Sequence, residues 1–276
     1  MNDRTLPLWL RLFMTGMALM QLVFGVTLLI NPAAIGTMWP WAMTSITARL
    51  LGASALVSVP LALLSVFFNR YSAARLPMIM ILAYRVLQVA AGLVHFGQFD
   101  FADPVTWNYF GGGILMMILL AVGILRGPHL GQPITNSPKW LRGEAALNLT
   151  SGGRGAFRAI GIFFFVLGVA FFVLGKQAGW LWLESEGLLT GLTARLFASP
   201  VIGLALAAWI IAASKRWREV GIPAAGMATF GIAGTLTMAL EFANVQPPTG
   251  LGYLAAAVPL ILLAMGIYLL SAKRGF

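Results

Sequence analysis

The chain has 276 residues, of which 59% are hydrophobic and only 9% carry a charge. A soluble domain is roughly 45–50% apolar and about 25% charged, so this composition excludes a water-facing globular surface and indicates an integral membrane protein. The chain contains no cysteine, which excludes disulfides, thiolate metal sites and CxxC redox chemistry.

The net charge of +10 at pH 7 has a topological explanation. The basic residues lie in short loops between apolar segments, as the positive-inside rule predicts. No basic face with interleaved aromatic residues stands outside those segments, so we expect no nucleic-acid partner.

Eight apolar segments follow one another along the chain, each close to the roughly 20 residues that span a bilayer. Most of the 18 Lys and Arg residues fall on one side of them, which places both termini in the cytoplasm of a bacterial-type inner (plasma) membrane. We therefore predict an all-α integral membrane protein with transmembrane helices at residues 9–30, 46–68, 76–97, 106–126, 157–175, 188–213, 221–242 and 251–271.

An internal repeat relates the two halves of the chain. The stretch TSITARLLGA, Thr44 to Ala53, returns as TGLTARLFAS, Thr190 to Ser199. A gapless overlay matches Arg49 with Arg195, and further along it matches a second arginine and a proline. Four helices are an even number, so both units share one orientation, related by an axis along the membrane normal.

This repeat predicts three parts of the chain. Residues 1–126 and 157–276 form two tandem four-helix units in parallel orientation, and residues 127–156 form a cytoplasmic linker. Within the linker, Ser137 and Pro138 have the features of a helix start, and basic and apolar residues follow them. We expect a short interfacial helix there.

Arg49 and Arg195 occupy matching places at the outer end of the second helix of each unit. The structural interpretation is that each guanidinium extends outward and pairs with a loop carboxylate, which ties its helix to a neighbour. The alternative is two pseudo-symmetric anion sites for a lipid headgroup or a substrate carboxylate. The candidate carboxylates are Asp100 or Asp103 for Arg49, and Glu184, Glu186 or Glu241 for Arg195.

His95 and Glu241 also occupy matching positions, in the third helix of each unit. Both are expected near the outer interface. The pair is consistent with proton-linked behaviour across the pseudo-axis, or with ordinary capping by polar residues at helix ends.

Arg85 is the charged residue that lies deepest in a predicted span, about 13 Å from its cytoplasmic end at 1.5 Å per residue. Gln88 lies one turn away, Gln21 on the first helix reaches a similar depth, and the repeat partner of Arg85 is Gly231. An intramembrane arginine costs at least roughly 2.5 kcal/mol on insertion scales. Its counter-charge is a ligand, a lipid or another subunit, unless Arg85 is held by the two glutamines and backbone carbonyls.

Motifs for catalysis are missing from the sequence. It contains no P-loop, HExxH or G-x-S-x-G motif, and no carboxylate pair at metal-ligand spacing within a span. We therefore expect no enzymatic activity, no metal site and no resident cofactor, although a lipid, quinone or pigment could be bound.

The run NPAAIGTMWPWAMTSITARLLGA resembles the small bacterial membrane proteins of the DoxX-like kind, in which an outer loop with proline precedes an Arg-Leu-Leu-Gly helix start. The resemblance covers residues 9–126 and more faintly 157–272. It implies a four-helix unit, here duplicated, and no catalytic residue.

These observations favour a non-catalytic subunit or accessory protein of a larger membrane assembly, with a lipid, quinone or pigment bound near Arg85. The expected partners are membrane lipids and either other membrane subunits or a second copy of the chain. The alternative is a small-solute or proton-linked transporter that uses the interface between the two units. Transporters usually place several polar residues at the midplane of both repeats, whereas here only the first half does.

Overall fold

The structure, a computed structural model, describes residues 5–33, 43–127, 149–181, 190–214, 217–244 and 252–271, and within these ranges it is helical without a β-strand. Seven of the described helices are long and apolar enough to span a membrane, whereas the last carries a shorter apolar stretch, Ala256–Leu269. The helices are α1 Leu8–Ile30, α2 Ser45–Phe68, α3 Tyr71–Val94, α4 Pro104–Arg126, α5 Ser151–Leu174, α6 Gly191–Ala213, α7 Trp217–Leu240 and α8 Gly252–Ser271.

The connection between α2 and α3 is much shorter than the sequence predicted. Asn69 adopts a left-handed conformation, with φ 49° and ψ 42°, and caps the end of α2. Asparagine tolerates this conformation better than most residues, so the chain reverses at once and α3 begins at Tyr71 rather than at residue 76. Helix α3 also ends earlier than predicted, at Val94.

The predicted linker is also shorter at its C-terminal end. Helix α5 begins at Ser151 because the side chain of Thr150 accepts a hydrogen bond from the Gly153 backbone N–H at 3.0 Å. Helix α5 thus begins six residues before the predicted span, which started at residue 157. The predicted interfacial helix lies outside the described residues.

The repeated threonines have a local structural role. The Oγ1 atom of Thr44 accepts a hydrogen bond from the Thr47 N–H at 3.2 Å, and Thr190 accepts one from Thr193 at 3.1 Å. Each first threonine is thus the N-cap of its helix, and satisfies a backbone donor that would otherwise lack a partner. Helices α2 and α6 therefore begin in the same way.

Helices of the two predicted units pack against each other at the centre of the molecule. Most residues of α2, α6 and α7 are buried, whereas most of those in α1, α4 and α5 are not. Helix α1 packs on α2 and α5 packs on α6, while α3 packs on α4 and α7 on α8. Across the halves, α7 packs on α2 and α3 packs on α6, so the third helix of each unit lies against the second helix of the other.

Glycines allow the closest helix contacts. A Cβ atom at Gly52 would lie 2.7 Å from the carbonyl oxygen of Gly25, which brings the α1 and α2 backbones together. A Cβ atom at Gly231 would collide with the backbone nitrogen of Leu263, so α7 and α8 are also close there. Small residues of this kind drive packing in membranes, where burial of apolar surface between helices adds little.

The α7–α8 contact gives a direct test of this packing. We expect Gly231→Ala to lower the free energy of unfolding by about 1–3 kcal/mol, because the new methyl group meets the backbone of α8. Gly203→Ala is the matched control, since a Cβ atom there meets nothing within 4 Å. Thermal unfolding in detergent measures both changes. Equal stability of the two variants would contradict the contact.

Candidate functional site

A cavity of about 250 Å³ lies beside Arg85, bounded mainly by α1, α2, α3 and α4. Its wall is mostly apolar and contains a small group of polar side chains. The lining residues are Met20, Gln21, Phe24, Leu51, Ala55, Tyr84, Arg85, Gln88, Val89, Val105, Asn108, Tyr109, Gly112, Gly113, Met116 and Leu196. An apolar cavity with a few convergent polar groups is the usual form of a small-molecule site.

The guanidinium of Arg85 is only partly satisfied by the protein. Its Nη1 donates to Gln88 Oε1 at 2.6 Å, and Gln88 Nε2 donates to the Tyr84 hydroxyl at 2.7 Å. Its Cζ lies 5.3 Å from the centroid of the Tyr84 ring, a cation–π distance. The Nε and Nη2 atoms of Arg85 are buried and have no hydrogen-bond partner among the described residues. Such donors cost about 1–3 kcal/mol each, and more on a charged group, so they need an acceptor.

Gln21 reaches the same cavity from α1. Its side chain is 6% exposed, and it makes no hydrogen bond with a described residue. The structure thus brings together Arg85, Gln88 and Gln21, as their depths in the sequence predicted. It does not give Arg85 the second glutamine as a hydrogen-bond partner, because the cavity lies between α1 and α3.

The wall formed by α4 contains a feature that sequence reasoning missed. After Trp107 the helix widens into a π-helical turn at Asn108–Gly112, and then continues as an α-helix. The Tyr109 hydroxyl donates to the Gln88 carbonyl at 2.5 Å, which fixes this turn against α3. Segments of π-helix are frequent at functional sites. The available signal was the polar pair Asn108 and Tyr109 at the start of an apolar run.

The second half of the chain has no room at the matching position. Arg85 and Gln88 correspond to Gly231 and Gly234 in the repeat register. At Gly231 the backbone of α8 is in contact with α7, and a Cβ atom at Gly234 would lie 2.8 Å from Pro259. The polar site therefore belongs to the first half alone.

A second polar group lies at the end of the bundle where α2 and α6 begin, called the outer end below, and here Arg49 forms an ion pair with Glu241. The Arg49 Nε atom is 2.7 Å from Glu241 Oε1, and the two side chains are 15% and 4% exposed. Arg49 Nη1 also donates to the Leu29 carbonyl. The pair joins α2 to the end of α7, so it links the two halves.

The predicted partners of Arg49 were wrong. Asp100 accepts a hydrogen bond from the Ala102 N–H, and Asp103 caps α4 by accepting from the Val105 N–H at 2.8 Å. Both carboxylates thus accept hydrogen bonds from backbone N–H groups in or next to the loop that connects α3 to α4. Glu241 can reach Arg49 because α7 packs on α2.

Arg195 lies against His95 of the opposite half, with Nη1 2.7 Å from His95 Nε2 and 3.3 Å from the Gly191 carbonyl. Arginine can only donate, so Nε2 is the acceptor and the imidazole is neutral. Burial first, and then the charge of Arg195, lower the pKa of His95, while a backbone hydrogen bond at Gly191 raises it. Glu241 is not the partner of Arg195 as predicted, and Glu184 and Glu186 lie outside the described residues.

The two outer contacts form a crossed pattern. Arg49 matches Arg195 and His95 matches Glu241 in the repeat, and each arginine contacts the residue from the other half. Arg49 thus contacts a carboxylate, whereas Arg195, at the matching position, contacts a neutral imidazole. This difference makes the ion pair the stronger of the two ties.

Comparison with known proteins finds no matching family, no matching curated protein and no matching solved structure. The class of protein therefore follows from the fold and the site alone. The described helices are those of an all-helical, multi-pass membrane protein.

The outer ion pair predicts a large effect on stability. We expect Glu241→Gln to lower the free energy of unfolding by about 3 kcal/mol, because it leaves a largely buried Arg49 without its counter-charge. Asp100→Asn, at an exposed loop carboxylate, is the control and is expected to change stability by less than about 0.5 kcal/mol. Thermal unfolding in detergent distinguishes the two. If Glu241→Gln lowers the free energy of unfolding no more than Asp100→Asn does, the ion pair does not stabilise the contact between α2 and α7.

The contact at His95 predicts a pH dependence. Because the pKa of His95 is lower in the folded chain, the unfolded chain binds a proton first as the pH falls. The stability is therefore complete above about pH 6.5 and declines as the pH falls towards the lowered pKa. We expect the melting temperature to fall more for the wild type than for His95→Gln between about pH 7.5 and pH 5.5. An equal fall would mean that other groups cause it.

Proposed function

We propose that this protein is a non-catalytic, ligand-binding component of a bacterial-type inner membrane. In this proposal the chain forms two tandem four-helix units with eight spans, and both termini are cytoplasmic. The matched caps at Thr44 and Thr190, the crossed packing of helices and the distribution of basic residues support that architecture. The resemblance of the first unit to DoxX-like proteins is in keeping with it.

The observation that carries the proposal is a largely apolar cavity of about 250 Å³ whose polar wall residues include Arg85, Gln88 and Gln21. A charge held in an apolar medium is stable only when it is paired or hydrogen-bonded. A bound lipid, quinone or pigment with an oxygen acceptor would supply a hydrogen-bond partner for these polar groups. The apolar wall would hold the rest of the molecule.

The position of Arg85 favours a small molecule over a partner chain as its counter-group. Arg85 lines a cavity whose walls are helices of this same chain, and its Nε and Nη2 atoms are buried. The protein can still belong to a larger assembly through its lipid-facing helices. In that case it contributes the bound ligand to the assembly.

The transport alternative has less support. Its pathway would follow the interface between the two halves, where a gap lined by Ser54, Ser58 and Pro200 has a volume of about 30 Å³. One water molecule needs about 10–15 Å³ of cavity, so this gap has room for no more than a few waters. A solute larger than water would require the central helices to separate, whereas the Arg85 cavity is already present.

Native mass spectrometry of the gently extracted protein tests the proposal. We expect the wild type to carry a small molecule in stoichiometric amount, and Arg85→Leu to lose it because the acceptor on the ligand no longer has a donor. Ala55→Leu is expected to exclude the molecule by filling the cavity, since Ala55 lines it.

Arg158→Leu is the matched control, because it removes an exposed arginine from α5. It should retain the ligand. A wild-type protein without any bound molecule would contradict the proposal, as would a ligand that stays on Arg85→Leu. A stoichiometric partner chain lost on Arg85→Leu would replace the ligand with a subunit contact.

A further inference from the structure

We propose that the cavity beside Arg85 binds an uncharged, membrane-dissolved alcohol, whose hydroxyl group is held by the side-chain amide of Gln21. The inference rests on the proposed ligand-binding function and adds the chemical class of the ligand. It follows from which polar atoms of the wall face the cavity, from the place where the cavity opens, and from its depth in the membrane.

The side chain of Gln21 is buried and has no partner in the part of the chain that the structure describes. It is 6% exposed, lines the cavity from α1 and makes no hydrogen bond with a described residue. The Nε and Nη2 atoms of Arg85 are enclosed by protein, whereas the amide atoms of Gln21 are not. The amide of Gln21 is therefore accessible to a molecule in the cavity. A buried amide without a partner is costly, so a ligand that bonds to it is stabilised there.

This amide requires a ligand that both donates and accepts hydrogen bonds. Its Nε2 atom carries two N–H donors, and its Oε1 atom is an acceptor. An ether, an ester or a quinone has acceptors only, and would leave Oε1 without a donor. A hydroxyl group has one donor and two acceptor lone pairs on a single atom. It therefore meets both requirements with little polar surface to remove from water.

The cavity opens towards the membrane between α1 and α4. Met20 of α1 and Asn108 of α4 line it, and both side chains are exposed. The two helices do not pack closely on each other, and most of their residues are not buried. In a bilayer this side of the bundle faces hydrocarbon. The ligand therefore enters from the lipid phase.

The depth of Gln21 disfavours a charged head group. Gln21 lies about 14 Å from the end of α1 at Ile30, at 1.5 Å per residue. An ion that enters from the lipid at this depth loses its hydration, which costs far more than the transfer of a hydroxyl group. Arg85 offers an anion little direct contact, because its Nε and Nη2 atoms are enclosed and its Nη1 atom donates to Gln88. The positive charge of Arg85 repels a cation.

The rest of the wall fits the hydrocarbon part of an alcohol. Phe24, Leu51, Met116 and Leu196 give the cavity an apolar lining. Its volume of about 250 Å³ lies below the roughly 300–1,000 Å³ of typical ligand pockets. The cavity therefore holds the hydroxyl group and the first carbons of a chain. A longer chain extends between α1 and α4 into the bilayer.

Photolabelling of the detergent-solubilised wild type tests this inference without any variant. The probe is decanol with a diazirine in its chain, and peptide mass spectrometry locates the labelled residues. We expect labels on residues that line the cavity, such as Leu51 and Met116. Unlabelled decanol should compete at least about fivefold better than its isomer nonyl methyl ether at the same mole fraction in the micelle, because the ether has no donor. Decanoate should also compete more weakly than decanol.

A substitution at Gln21 tests the role of the amide. Gln21→Met keeps a long, unbranched side chain and removes both the donors and the acceptor. It should lower labelling of the cavity by about 5- to 50-fold, because the hydroxyl group loses its partner. Gln98→Leu is the matched control, since it removes an exposed glutamine outside the cavity lining, and it should be labelled like the wild type.

The outcomes separate this inference from the proposed function. Equal competition by decanol and nonyl methyl ether, or stronger competition by decanoate, would overturn the alcohol and leave ligand binding intact. Undiminished labelling of the cavity in Gln21→Met would overturn the role of the amide. Labels confined to lipid-facing residues would overturn the inference, and together with a native protein that carries no molecule they would overturn the proposed function as well.

Discussion

A guanidinium in an apolar medium requires a partner, and three arginines of this chain show how the requirement organises the fold. Arg49 meets a carboxylate, Arg195 meets a neutral imidazole, and Arg85 is satisfied at one nitrogen only. The first two lie near the start of a helix, where the helix dipole adds to the cost of a positive charge. Their partners come from the opposite half, so the contacts that stabilise the two buried cations also join the two halves.

The crossed contacts and the central packing reinforce each other. Helix α7 must lie on α2 for Glu241 to reach Arg49, and α3 must lie on α6 for His95 to reach Arg195. The polar contacts at the outer ends fix the register of these helices. A slide of α7 along α2 would leave Arg49 and Glu241 both buried and unpaired. That outcome is far more costly than the loss of some apolar contact.

The apolar helices could be predicted from the sequence, because hydropathy is a property of each local segment. The matching positions of Arg49 and Arg195 could also be read directly from the repeat. The grouping of Arg85, Gln88 and Gln21 followed from depth alone. The ion partners could not be predicted, since the sequence favours nearby loop carboxylates such as Asp100, while the choice depends on which helices pack. The π-helical turn at Asn108–Gly112 was missed because hydropathy is insensitive to helix width.

The two halves use one position in opposite ways. At Gly231 the missing side chain allows α8 to touch α7, which gives the second half a closely packed pair of helices. At the matching position Arg85 carries a large charged side chain that lines the cavity, and the π-helical turn at Asn108–Gly112 forms part of the wall. The first half is thus loosely packed at this position, whereas the second half is closely packed at the matching one. Because the contacts of Arg49 and Arg195 join both halves, the closely packed second half supports the first half around this cavity.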